Sequence, residues 1–284
     1  MSSCGAVELG GTWLRLVVGT PDGRISHRAQ LPLPRPSILA PTVASWMAEM
    51  GGVHRLGVAC FGPVRIDRSA ADWGTILRTP KPGWSGFAVG PALEAAMNAP
   101  VTLETDVGAA ALAEHSVRGG TGSLAYMTVG TGIGVGLRLA HGPWHGRMHP
   151  ELGHMRVQRD PADGFAGVCP FHGDCLEGLA SGPALAARTG LPGPAIPPDH
   201  PVWRLEAGLL AQAAHVLLAG LSVNTVVLGG GVGTAPGLLE RVRIAVSKLD
   251  GRYSPGLDAR RDLTAPILGD DAALVGALQL SSVP

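Results

Sequence analysis

The chain has 284 residues, with 22 Lys+Arg against 22 Asp+Glu and no Lys/Arg-rich block. That balance argues against a partner held by long-range attraction, whether nucleic acid or an anionic membrane. The length supports one large domain or two smaller ones, the opening MSSCGAVELGG lacks the build of a secretory signal, and four cysteines call for no oxidising compartment, so a cytoplasmic protein is expected.

In chain order, GAVELGGTWLRLVVG (5–19) reads as strand, glycine turn, strand. The Pro-rich LPLPRPSILAP (31–41) reads as a connecting loop. PALEAAM and DVGAAALAEHSVRGG read as helices, the second opened by Asp106 and stopped by Gly119. SLAYMTVGTGIGVGLRLAHG (123–142) repeats the first design about one domain length later, which points to two similar halves. In SGPALAARTG, Ser181 suits a helix cap, Pro183 its first turn and Gly190 its end. The apolar AGLLAQAAHVLLAGLSVNTVVLG is interrupted by Gln212, His215 and Asn224, and fits a buried helix followed by a strand better than a membrane span. NTVVLGGGVGTAPGLLERVRIAVSKL then reads as strand, glycine turn, helix. Strands and helices alternating in this way predict an α/β fold.

Glycine lets backbone approach phosphate oxygens closely, because no Cβ stands in the way. Gly10, Gly11 and Thr12 in the first hairpin, and Gly130, Thr131 and Gly132 in the second, could supply amide and hydroxyl donors. Neither turn leads into a helix and no Gly-Lys-Ser/Thr occurs, so the Walker and dinucleotide fingerprints do not fit. Each turn taken alone is equally a plain hairpin.

ELGHMRVQRDPADGFAGVCPFHGDCLEG (151–178) sets Cys169, His172 and Cys175 at intervals of three, with His154 upstream. Two readings stand: buried thiols beside unrelated histidines, or a tetrahedral set of two thiolates and two imidazoles with no vacancy, as structural zinc is built. His145 and His149 fall outside that set.

Together VELGGT, TVGTGIG, HPELGH, CPFHGDCLEG and LGGGV, with GTILRTPKPGW (74–84), resemble the ROK (repressor, open reading frame, kinase) sugar kinases, and in particular their zinc-containing fructokinase branch. The resemblance runs from about residue 5 to GDDAALVGALQL. It implies two actin-like, ribonuclease H-like domains of the hexokinase superfamily with the active site in an interdomain cleft. The first domain would hold residues 1–115 and a C-terminal helix at about 270–284, the second residues 116–269. It further implies ATP gripped at Gly10–Thr12 and Gly130–Gly132, adenosine bordered by Gly229, Gly230 and Gly231, magnesium, structural zinc on His154, Cys169, His172 and Cys175, and a homodimer.

Phosphoryl transfer to a sugar needs a carboxylate to accept the hydroxyl proton. Asp106 takes that role by resemblance; read from the residues alone it also suits a helix cap. Glu151, His154 and Glu177 resemble the family's sugar ligands, and Lys81 and Trp84 are expected on the sugar side, although such a tryptophan is also an ordinary packing anchor. Removing zinc is expected to weaken sugar binding or stability without an ATP-binding defect. Trp13, Thr105 and Gly108 depart from the pattern, where lysine, asparagine and asparagine are common, and Glu8 replaces the usual aspartate, with a role near magnesium through water. The expected activity is fructose phosphorylation; the alternatives are glucose, mannose or an amino sugar, or a weakened sugar-binding relative. A DNA-reading repressor is not expected, since only seven residues precede Glu8.

Overall fold

The computed structural model describes residues 3–282, which form two compact α/β units. The first takes the chain up to Val117, Pro143–His149 and the chain from Asp270; the second takes Arg118–Gly142 and Pro150–Gly269.

In the first unit β1 (Cys4–Leu9) and β2 (Trp13–Gly19) form an antiparallel hairpin, and β3 (Ile25–Pro32) pairs with the outer side of β2. On the other side β1 runs parallel to β4 (Leu56–Cys60), and β4 to β5 (Val101–Thr105), giving the order β3-β2-β1-β4-β5. Every residue of β1 and β4 is buried, as befits central strands covered on both faces. Edge strand β3 is half polar and mostly open, which discourages pairing with another chain.

The second unit repeats the plan. A hairpin of β6 (Leu124–Val129) and β7 (Ile133–Leu139) has β8 (Gly142–Pro143) beside β7, while β6 runs parallel to β9 (Thr225–Gly229) and β9 to β10 (Leu263–Thr264). The order β8-β7-β6-β9-β10 matches β3-β2-β1-β4-β5 strand for strand, so the two hairpins seen in the sequence open two like halves. Each half has its own core: Leu9, Leu16, Leu39, Met47 and Leu93 in the first, Met127, Leu176, Leu179, Leu185 and Leu210 in the second.

The expected loop at 31–41 is a correction. β3 runs to Pro32 and a helix spans Pro36–Glu49, so only three residues separate them. Pro36 takes the first helical position, where its missing N–H is no loss. Pro41 forgoes one intrahelical bond, and the burial of Leu39, Ala40, Val43 and Met47 outweighs it. The helix Gly182–Thr189 has the expected ends, with the Ser181 side chain accepting from Ala184 N–H and Gly190 in the left-handed region. Among the described residues no helix is long and apolar enough to cross a membrane.

The C-terminal helix Ala272–Leu280 lies backbone to backbone on the helix Asp106–Val117: a Cβ on Gly276 would fall 1.9 Å from the Ala109 carbonyl oxygen. Gly276→Ala must therefore push the helices apart, and is expected to cost about 2–3 kcal/mol and lower the melting temperature by about 5–10 °C. Calorimetry showing an unchanged transition would contradict this packing.

Candidate active site

In the first unit the Gly10–Thr12 turn joins β1 to β2 and is closed by Gly10 N–H donating to the Trp13 carbonyl at 2.9 Å. Lys81 Nζ donates to the Gly11 carbonyl at 3.0 Å and stands 4.8 Å from the centre of the Phe61 ring. Burial holds this ammonium below the usual lysine range, while Asp106 and Cys60 push it the other way. Lys81, expected beside the sugar, is thus anchored to the first glycine turn and within the field of Asp106. Trp84 is a correction: it is 4% exposed and packs edge-on against Phe61 and Phe87 at 5.3 and 5.7 Å, so its ring is core rather than sugar wall. Glu8 is buried on β1 and paired with Arg15, which also donates to the Asp270 carbonyl at 2.7 Å. Burial raises the Glu8 carboxyl above its ordinary value against the pull of Arg15.

β5 ends at Thr105 and the helix Asp106–Val117 begins at the next residue. The capping bond belongs to Thr105, whose Oγ1 accepts from Gly108 N–H at 3.0 Å. Asp106 is the first helical residue, and its Oδ1 accepts from Val107 N–H at 2.9 Å. The alternative of Asp106 as the cap is corrected accordingly.

Behind Asp106 lies Glu104, which the sequence reading passed over. Its Oε1 accepts from Thr105 N–H at 2.7 Å and from the Thr105 hydroxyl at 3.2 Å, and its Oε2 lies 2.8 Å from His145 Nε2. His149 is buried, and its Nε2 accepts from Val64 N–H at 3.2 Å. Both histidines stay outside the metal-type group. The available signal was a pair of histidines, with no ligand spacing of their own, just before Glu151.

In the second unit one ligand atom each of His154, Cys169, His172 and Cys175 lie within 4.8 Å of one another. His154 Nδ1 faces both sulfurs, at 3.5 Å from Cys175 and 3.7 Å from Cys169, and His172 Nδ1 lies 3.8 Å from Cys169. A tetrahedron with metal–ligand bonds of 2.1–2.3 Å has edges of about 3.4–3.8 Å, and these three distances match the edges of a closed S2N2 set. Burial pushes the Cys175 thiol up to about 11, and Cys169 adds to this, so without a cation Cys175 stays protonated. The loop is formed by mutual backbone bonds between Cys169 and Gly173, 2.9 and 3.1 Å long, and Arg159 holds Asp174 at 3.3 Å.

Glu177, two residues after Cys175, has Oε2 3.0 Å from Ile133 N–H. A Cβ on Gly132 would come within 2.6 Å of that oxygen, so glycine leaves room for the carboxylate against the second turn. Gly130 N–H donates to Gly132 O at 2.9 Å, and Gly182 N–H to Gly130 O at 2.7 Å. The structure therefore commits one oxygen of Glu177 to the turn, a contact the sugar-ligand expectation did not include. Glu151 is exposed as a residue, yet its carboxyl is pushed up to about 7, first by partial burial of the group and then by the charge of Glu177. Gly229 ends β9 and Gly230 and Gly231 open a short helix, so the third glycine turn differs from the two hairpins.

The Ile133–Glu177 bond is to a charged acceptor and is worth about 1.5–3 kcal/mol. Glu177→Ala is expected to speed amide exchange at Ile133 about tenfold or more, read by hydrogen–deuterium exchange; unchanged protection would show that the turn stands without it.

A family model described as the ROK family matches residues 4–283. The chain is similar to the fructokinase of Pediococcus pentosaceus, 36% identical over 98% of this chain and 96% of that protein. It is also similar to the fructokinase of Zymomonas mobilis, 36% identical over 98% and 95% of the two chains. Among solved structures, the ROK hexokinase from Thermus thermophilus is 30% identical with a TM-score of 0.76, covering 98% of this chain and 97% of that one.

Proposed function

This chain belongs to the ROK family, and we propose that it is an ATP-dependent fructokinase, moving the γ-phosphoryl group of ATP to a hydroxyl of D-fructose to give fructose 6-phosphate. The observation that carries this reading is its 36% identity to fructokinases along nearly their whole length. The second reading is another hexose as acceptor, favoured by the likeness to a hexokinase of the same family.

In this proposal Asp106 accepts the hydroxyl proton as the new oxygen–phosphorus bond forms. The negative charge spread over the transferring group meets backbone N–H groups of Gly11 and Thr12 and of Thr131 and Gly132, in turns whose shape is fixed beforehand by the Gly10 and Gly130 N–H bonds. Lys81, tied to Gly11, adds a positive charge at the first turn. Magnesium, when bound, neutralises phosphate charge; it is ordinarily held by the nucleotide's oxygens with one or two carboxylates, and Glu8, already paired with Arg15, would reach it through water. Glu151, His154 and Glu177 form the sugar wall. With its carboxyl near 7, Glu151 can donate to one hydroxyl in its neutral form or accept from another when ionised.

A zinc ion on His154, Cys169, His172 and Cys175 would fix this wall and take no part in the chemistry, since all four positions are filled. His154 N–H donates to the Glu151 carbonyl at 3.0 Å, so holding His154 also holds Glu151. Because Glu177 braces the second glycine turn, the expectation of an intact ATP site after metal loss is revised. Purified protein is expected to carry about one zinc per chain, and chelation should weaken both sugar and nucleotide affinity. Active protein free of zinc would refute the assignment.

Turnover measured as ATP consumption over a panel of hexoses should give the highest kcat/KM with fructose, and Asp106→Asn should lose about 10²–10⁴-fold in kcat while still binding both substrates. A preference for glucose or mannose would select the second reading; near-normal turnover of Asp106→Asn would remove Asp106 as the base.

A further inference from the structure

Glu104 is a carboxylate with a side chain 7% exposed, at the next-to-last position of β5. Burying such a charge costs free energy unless its oxygens are bonded, and here both are. Oε1 takes the Thr105 N–H at 2.7 Å and the Thr105 hydroxyl at 3.2 Å; Oε2 faces His145 Nε2 at 2.8 Å. The threonine hydroxyl has one proton. Given to Glu104, that proton leaves Oγ1 only as an acceptor, which is what the helix cap requires of it towards Gly108 N–H at 3.0 Å. The charge at 104 therefore sets the direction of the cap, and the cap sets the first turn on which Asp106 rides.

The neighbours are shaped for this arrangement. A Cβ on Gly108 would stand 2.5 Å from Glu104 Oε1, so the carboxylate fills space that any side chain there would need. His145 comes from Pro143–His149, a seven-residue excursion into the first unit from chain that belongs to the second on either side. The excursion is fastened again where Val64 N–H donates to His149 Nε2 at 3.2 Å. Two residues beyond His149 the chain reaches Glu151.

We infer that Glu104 and His145 are positioning residues for the reaction: the pair fixes the Thr105 cap and through it the direction of the Asp106 carboxylate. A buried pair of this kind is weak evidence for a stabilising role, because apolar replacements are often as stable. Its direct bond to the residue preceding the base gives it a role that stability alone does not.

The inference rests on the kinase reading with Asp106 as base, and the test separates the two. Full-length wild type, Asp106→Asn, Glu104→Gln, His145→Gln and the double variant Glu104→Gln/His145→Gln are assayed with ATP and the hexose that wild type turns over fastest, together with substrate affinities and melting temperature. Glu104→Gln is expected to lose ten- to a hundredfold in kcat, with affinities for ATP and sugar within about threefold of wild type. His145→Gln, at a partly exposed position, should lose several-fold, and the double variant should be no worse than Glu104→Gln because the residues act as one unit. Thr105→Ser should keep most of the turnover and Thr105→Val should fall with Glu104→Gln. Normal kcat in Glu104→Gln beside an inactive Asp106→Asn overturns the inference and leaves the kinase reading standing. So does a loss in which both affinities and the melting temperature fall in step with kcat, or one in which the single losses multiply in the double variant. A wild type without turnover on any hexose, or an active Asp106→Asn, overturns both.

Discussion

The setting of Asp106, the proposed base, depends on a strand that becomes a helix with no residue between them. β5 stops at Thr105 and Asp106 is already helical, so the orphan N–H groups of the first turn must be satisfied locally. Thr105 supplies Oγ1 to Gly108 N–H, and Asp106 uses Oδ1 for Val107 N–H. A loop at this point would let the carboxylate wander. The abrupt change fixes Cα and Cβ of Asp106 on two rigid elements at once, one a strand paired along its length with buried β4 and one packed on the C-terminal helix through Gly276.

The repeated sheet order gives each unit a glycine turn at the same place in its hairpin, but the two turns are braced by opposite means. In the first an ammonium, Lys81, holds a carbonyl, that of Gly11; in the second a carboxylate, Glu177, holds an amide, that of Ile133. The second brace sits on the helix Leu176–Ala180 that follows Cys175 directly, so the sulfur–imidazole cluster and the turn belong to one packed assembly. That is why loss of a metal proposed there would reach further than the proposed sugar wall. A cluster read by itself looks like a separate pin; its effect is set by what the next two residues of the chain touch.

Much of the fold was legible because it rests on local rules. Paired strand–glycine–strand stretches gave both hairpins, and Ser181 and Gly190 gave both ends of their helix. The four metal-type ligands were legible from spacing, since three of them lie within seven residues. What failed was direction. Glu177 and Lys81 were recognised as functional residue types, but nothing in spacing says which way a long side chain turns: Glu177 turns to the Ile133 amide and Lys81 to the Gly11 carbonyl. Trp84 looked like a sugar platform, yet two phenylalanines close on it from the same unit. The Pro-rich stretch misled because proline marks a helix start as readily as a loop. Glu104 and His145 were illegible as a pair, being distant in sequence and joined only by the short return of 143–149 to the first unit.

The departures at positions 105 and 108 read from sequence as missing side chains, and so as grounds for weakened catalysis. In the folded chain neither position is a gap. Thr105 carries the cap, and the space beside Gly108 is occupied by the Glu104 carboxylate, which any Cβ there would strike. The three residues are one local solution: a buried charge, a hydroxyl oriented by it and a glycine that makes room. Restoring a larger side chain at 108 alone would drive a carboxylate out of its bonds with Thr105 and His145, and the first turn that presents Asp106 would lose the acceptor that ends it. The departures therefore hold together as a set, and the carboxylate proposed as base keeps among them the fixed setting that proton transfer demands.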